Sequence, residues 1–264
     1  GIIGSGPWVF SIVGILLIGI FSASVVVPDF LVTQFQTSVT YLVASSLILT
    51  GLVQLAFTRF VSDRLFEKKK DAILPNLHGL LLVVVAVSSL LGTLCLFVML
   101  PGLGLIYRLL MLAGFVLMCG VWVLTILLSG MKRYKAIVVL FGLSYSLIVL
   151  SAFWLRSYGL EGLLGGFVFG NFVLLAGMWT MTVREFSVRQ ELISFEFAQL
   201  KLLYPTLMAI GFLYNLGVWV DKFMFWYFAP TSDQIIGLLR ASLIYDLPVF
   251  LSYLSIIPGM AVFL

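Results

Sequence analysis

The sequence predicts an all-α, polytopic integral membrane protein, and three observations predict it. Seven apolar stretches are each long enough to cross a bilayer, and an eighth lies at the end of the chain. A hydrocarbon core of roughly 30 Å takes about 20 apolar residues of helix. Hydrophobic residues make up 62% of the chain and charged residues 10%, with a mean hydropathy of +1.19. A soluble domain of this size could not hide so much apolar surface. The remaining charges gather between the stretches and alternate sides. The work of such a protein is done across or inside a bilayer.

The spans are expected at 2–27, 39–58, 78–100, 106–129, 136–156, 163–182, 203–226 and 242–264. They must be helices, because an open sheet in lipid leaves backbone groups unpaired. Runs this uniformly apolar also lack the alternation of a barrel strand. The first span is too long for a signal peptide and has no basic region before it. Gly4, Pro7, Ser11 and Gly14 share one of its faces. Cys95 and Cys119 fall in the third and fourth spans as small buried hydrophobes rather than a disulfide. In the sixth, Gly162, Gly166 and Gly170 make two successive G-x-x-x-G steps, a face that lets helix backbones approach closely. Such a face serves plain packing or a sliding surface between two states. Pro7 and Pro205 sit near span starts, where proline is tolerated, while Pro248 and Pro258 are candidate kinks. The first residue is Gly1 and the last, Leu264, has no polar flank, so a piece of a longer chain is expected.

Short loops make neighbouring helices antiparallel. The exception is 183–199, where Phe186, Leu192, Ile193, Phe195 and Phe197 mix with Arg184, Glu185, Arg189, Glu191 and Glu196. It reads as an amphipathic helix on a membrane face. Six spans, a linker and further spans suggest a two-lobe transporter. The expected division is a lobe of six helices over 1–182, a cytoplasmic amphipathic linker over 183–202, and the start of a second lobe over 203–264.

The net charge of +4 marks topology rather than a nucleic-acid surface. Segments 59–77, 130–135 and 183–202 hold eleven basic residues, and the alternate side holds Arg108, Arg156 and Arg240. The positive-inside rule puts the eleven in the cytoplasm, and the N-terminus with them. Loops 28–38, 101–107, 157–162 and 227–241 then face outward.

Enzyme signatures are scarce. No phosphate-binding G-x-x-x-x-G-K-[ST] occurs. His78 is the single histidine, so neither a Ser/His/Asp set nor Cys/His metal spacing exists. Ser129 to Lys132 matches S-x-x-K by letter, at a helix end beside a basic loop. No enzyme activity, cofactor or metal is expected.

The strongest polar signal lies in the seventh and eighth spans. Asp221 and Lys222 interrupt an apolar segment; Asn215, Trp219, Lys222 and Trp226 share one helix face, and Tyr214, Gly217 and Asp221 a neighbouring one. Arg240 and Asp246 lie at the same level across the outer loop. Ionised groups at membrane depth pair with each other or line a wet cavity. Two readings fit. One is a structural network, Lys222 with Asp246 and Asp221 with Arg240. The other is a polar substrate path in which Trp219 and Trp226 stack on sugar rings while carboxylates and amides bond hydroxyls.

Three blocks carry a resemblance: GIIGSGPWVFSIVGILLIG (1–19), YNLGVWVDKFMFWYF (214–228) and LRASLIYDLPVFLSYLSIIPGMAVF (239–263). They resemble the PelG family of bacterial inner-membrane transporters for Pel exopolysaccharide. That family is similar to the multidrug/oligosaccharidyl-lipid/polysaccharide (MOP) flippases, with two six-helix lobes around a cavity. The resemblance implies export of a cationic, amino-sugar-rich polysaccharide in biofilm formation. It also implies PelD, PelE and the cytoplasmic glycosyltransferase PelF as partners, with no nucleic acid. Relative to that pattern a short N-terminal segment and most of the second lobe are missing, and no site residue is carried over. Two alternatives stand beside transport of polysaccharide: a membrane scaffold for a synthase, and a MATE-like small-molecule antiporter. The first six spans hold no acidic residue at mid-depth, which counts against the antiporter.

Overall fold

The computed structural model describes residues 29–131, 133–186, 191–199, 203–228, 230–249 and 251–252. The first expected span lies outside the described residues, as does most of the eighth. Helix α1 (Asp29–Phe66) is followed by a 3₁₀ turn (Lys70–Ala72), α2 (Ile73–Met99), α3 (Leu105–Gly130) and α4 (Tyr134–Leu155). A second 3₁₀ turn (Arg156–Tyr158) leads to α5 (Gly159–Glu185), and α6 (Pro205–Tyr227) comes after the linker. Strands β1 (Asp233–Ile236) and β2 (Leu239–Ala241) follow α6, and the chain is helical again over 243–249 and 251–252. Five helical stretches among the described residues are long and apolar enough to cross a membrane. One of them, Lys135–Glu185, folds back on itself at Gly159, whose φ of +62° suits glycine, and so contains both α4 and α5. The expected spans from the second to the seventh are these six helices.

Within the expected outer loop at 28–38, residues 29–38 are instead the first quarter of α1. At 1.5 Å per residue its 38 residues measure about 57 Å, well beyond the hydrocarbon thickness. No glycine or proline interrupts 29–50. The polar residues that suggested a loop bond within the helix or to its neighbours. Ser38 Oγ donates to the Gln34 carbonyl (2.7 Å) and Thr40 Oγ1 to that of Gln36 (2.7 Å). Ser38 also meets the Tyr107 hydroxyl at 2.8 Å, so α1 is pinned to α3 where both are buried.

The expected outer loop at 227–241 likewise contains an ordered hairpin, over 233–241. Its strands pair antiparallel, Asp233 with Ala241 and Gln234 with Arg240, with an irregularity before Ile236 pairs with Leu239. Gly237, at φ +56°, occupies the turn position where a side chain would be strained. The hairpin lies against the α1 extension, where Gln34 Nε2 reaches the Ile235 carbonyl at 3.5 Å, and Leu239 joins the main core.

The linker differs from the expected amphipathic helix. Residues 183–185 complete α5, and 191–199 holds one 3₁₀ turn (Glu196–Ala198) in an otherwise non-helical strap. The reason is that its polar groups find partners on α2 rather than in a helix of their own. Ser194 N–H donates to the Pro75 carbonyl (3.0 Å) and Phe197 N–H to Asn76 Oδ1 (3.2 Å). His78 Nδ1 meets the Leu192 carbonyl at 2.8 Å while Trp179 Nε1 donates to His78 Nε2 at 3.3 Å. The Phe197 ring packs edge-on to Phe57. Arg64 bridges Glu67 and Glu196, tying the strap to the end of α1. These contacts lie at the basic end of the bundle; the hairpin caps the opposite end. Cys119 is buried as expected, whereas Cys95 is exposed on α2.

The glycines of α5 face α4. A Cβ at Gly166 would lie 2.8 Å from Ser151 Oγ, and one at Gly170 would lie 2.2 Å from Ile148 Cγ1. Ser144 Oγ donates to the Gly170 carbonyl across the same contact. At Gly165 the nearest neighbour would be 4.0 Å away. Gly170→Val should therefore cost about 1–3 kcal/mol by overpacking, read as a lower melting temperature in detergent, while Gly165→Ala leaves melting unchanged. Equal melting of the two variants would show that the α4–α5 contact yields freely.

Candidate functional site

Helix α6 lies along α1, and the contact begins at two glycines. A Cβ at Gly51 would lie 2.6 Å from the Gly211 carbonyl oxygen, and one at Gly211 would lie 2.2 Å from that of Gly51. Backbones that close leave room for hydrogen only. Asn215, a turn further along, donates from Nδ2 to the Gly211 carbonyl (2.9 Å) and borders Gly51. Towards the hairpin, Trp219 and Trp226 are buried against Ala44. The ring of Tyr41 stacks on Trp226, centroids 4.7 Å apart and planes 26° apart. Its hydroxyl donates to the Arg240 carbonyl (3.0 Å), accepts from the Arg240 N–H (3.3 Å), and lies 3.2 Å from the Tyr227 hydroxyl.

The charged residues lie around this stack and its hairpin cap. Their pairing differs from the expected network. Lys222, with 8% of its side chain exposed, runs back along its own helix: Nζ donates to the Val218 carbonyl (3.1 Å) and to Asp221 Oδ1 (3.2 Å), and it sits 5.3 Å from the Trp219 ring centroid. Asp221 also accepts from the Tyr245 hydroxyl, yet 45% of its side chain stays exposed. Asp246 binds the Trp226 indole N–H with both oxygens (2.9 and 3.1 Å) and the Ser242 backbone N–H (3.0 Å). Arg240 goes to neutral acceptors: Nε to Ser232 Oγ (2.8 Å) and the Trp226 carbonyl (3.2 Å), Nη2 to the Ser232 carbonyl (2.7 Å). Among the described contacts no ion pair joins Lys222 to Asp246 or Asp221 to Arg240. The physical reason is the tryptophan. A buried indole N–H and an unpaired helix-start N–H each need an acceptor, and Asp246 supplies both.

All seven expected residues therefore lie along the α1–α6 seam or its hairpin cap: Asn215 borders the glycine crossing, Lys222 folds back along α6, and the other five divide into three roles. Trp219 and Trp226 are wedged between helices, their faces covered by protein. Asp246 and Arg240 brace the hairpin and the helix after it. Asp221 keeps an open edge. Sequence reasoning missed Tyr41, which stood unremarked at the head of an apolar span, and Ser232, Ser242 and Tyr245, which flank charges that drew the attention. Among the described residues no group of His, Cys, Asp and Glu could hold a metal ion.

A bundle of long apolar helices that pack closely at glycine defines a multi-pass, all-α membrane protein. A family model described as "PelG: Putative exopolysaccharide Exporter (EPS-E)" matches residues 1–264, and the chain belongs to that family. No curated protein and no solved structure matches it.

Tyr41→Phe keeps the stack on Trp226 and loses the hydroxyl, so it should cost about 1 kcal/mol. Trp226→Leu removes the stack and strands Asp246, and should cost about 3–5 kcal/mol. Thermal melting of the detergent-solubilised protein separates the two; equal small effects would show that the stack does not hold α6 to α1.

Proposed function

We propose that this chain is the first lobe and the opening of the second lobe of an exporter that moves a Pel-type, amino-sugar-rich cationic polysaccharide across the bacterial cytoplasmic membrane during biofilm matrix production. The observation that carries the reading is the family match over the whole chain. The site geometry supports it: Asp221 offers a half-open carboxylate on an apolar helix, a group suited to a polymer bearing positive charge. The basic end, with its strap, faces the cytoplasm, and the hairpin faces outward. The polymer is made by the cytoplasmic glycosyltransferase PelF, and PelD and PelE are the inner-membrane partners. The basic strap end is then the side that meets the synthase.

On this reading the two carboxylates of the seam have different tasks. In the full-length protein Asp221→Asn should cut polymer export severalfold with membrane abundance unchanged. Asp246→Asn should instead lower abundance, because it weakens the support of Trp226 and Ser242. Immunoblotting of membranes beside surface-polymer staining reads both. Cells lacking the full-length gene but retaining the glycosyltransferase should trap polymer in the cytoplasm. Polymer still reaching the surface would sink the exporter reading, and no polymer anywhere would favour a synthase scaffold.

A further inference from the structure

Three arginines sit at the hairpin end, and they are not alike. The Arg240 guanidinium is taken up by Ser232 and the Trp226 carbonyl. Arg108, in the first turn of α3, and Arg156, just past α4, have no acceptor for a side-chain donor among the described residues. The Arg108 Nε is buried without a partner. Glu161, the acid nearest in sequence to that end of α5, lies beside Gly104 and pairs with neither arginine.

Each of these two guanidiniums lies over a phenylalanine ring instead: Arg108 at 4.8 Å from the Phe97 centroid, Arg156 at 4.4 Å from that of Phe153. The rings belong to exposed faces of apolar helices long enough to span a membrane. Phe97 is 50% exposed and Phe153 55%, with Trp154 and Tyr158 more exposed still. A guanidinium over a ring face spends none of its N–H donors on the ring, and its terminal N–H groups match phosphate oxygens in pairs. Aromatic rings at a span end place the fork at headgroup level. A cation with unused donors, an aromatic floor and apolar surface below describe one occupant by charge and by polarity.

We propose that Arg108 and Arg156 bind the phosphate groups of phospholipids in the leaflet at the hairpin end. The two sites anchor α3 and α4 at a fixed depth and do not depend on which polymer is carried. Phosphatidylglycerol titrated into the full-length protein in detergent, with bound lipid counted by native mass spectrometry, tests this. The double variant Arg108→Gln with Arg156→Gln should bind about tenfold more weakly, the loss of a charge-assisted contact. Lys68→Gln with Lys70→Gln, exposed at the opposite end, should bind as the unchanged protein does. Phe97→Leu with Phe153→Leu keeps both charges, removes the floors and should also weaken binding, so the proposal does not hang on one variant's folding. Undiminished binding by the double arginine variant would overturn it. So would an equal loss in the lysine variant, which would mean attraction by net charge alone. Displacement of the lipid by millimolar inorganic phosphate would replace the lipid site with a general anion site.

Discussion

The seam between α1 and α6 depends on one side chain, Trp226. A buried indole brings a large apolar body and one N–H that must be satisfied. Its ring lies on Tyr41 of α1, its N–H on Asp246 beyond the hairpin, and its carbonyl on Arg240 within the hairpin. Three pieces of chain distant in sequence are thereby held by one residue. Lipid makes this arrangement necessary, since a polar group left open to hydrocarbon has no water to fall back on. Apart from the adjacent Lys222–Asp221 pair, the charges of the seam are accordingly committed to backbone, hydroxyl and ring partners rather than to each other. That is why the expected ion pairs gave way to an indole–carboxylate contact.

The two ends of the bundle solve the same problem differently. At the hairpin end, short strands bring their own backbone pairing. At the basic end, a strap with a single 3₁₀ turn uses α2 as its partner, through Pro75, Asn76 and His78. Arg59 pairs with Asp63, which also accepts the Tyr204 hydroxyl just ahead of α6. Tyr204 takes a left-handed backbone, φ +45°, immediately before Pro205, and the turn it makes sets where α6 enters. Glu67, in the exposed turn after α1, is held below the usual carboxylate range chiefly by its hydrogen bond from Lys69.

Hydropathy made the spans from the second to the seventh legible because crossing a bilayer requires apolar length whatever the tertiary partners are. The α5 glycine face was legible for a similar reason: i, i+4 spacing places the residues together before any neighbour is known. What could not be read was partner choice. Residues 28–38 looked like a loop because Gln34, Gln36 and Ser38 are polar, yet each can serve a helix when Tyr107 and the hairpin wait beside it. The strap looked like an amphipathic helix because its composition was mixed, and only α2 reveals where those groups bond. Gly51 and Gly211, 160 positions apart, carry no local pattern that links them. Membership of the seam was legible from charge; the division of labour within it was not, because burial of the two tryptophans depends on Tyr41.

The glycine contact has a mechanical side. With carbonyls that close, α1 and α6 cannot slide past each other at Gly51 and Gly211 without collision, but they can rotate about that point as about a fulcrum. Tyr41 stands ten residues from Gly51 along α1, a lever arm of about 15 Å at the helical rise. A turn of about 10° at the fulcrum moves the Tyr41 end by about 3 Å on that arm, enough to part its ring from Trp226. The stack thus acts as a latch at the end of the lever, where a small angle is felt most.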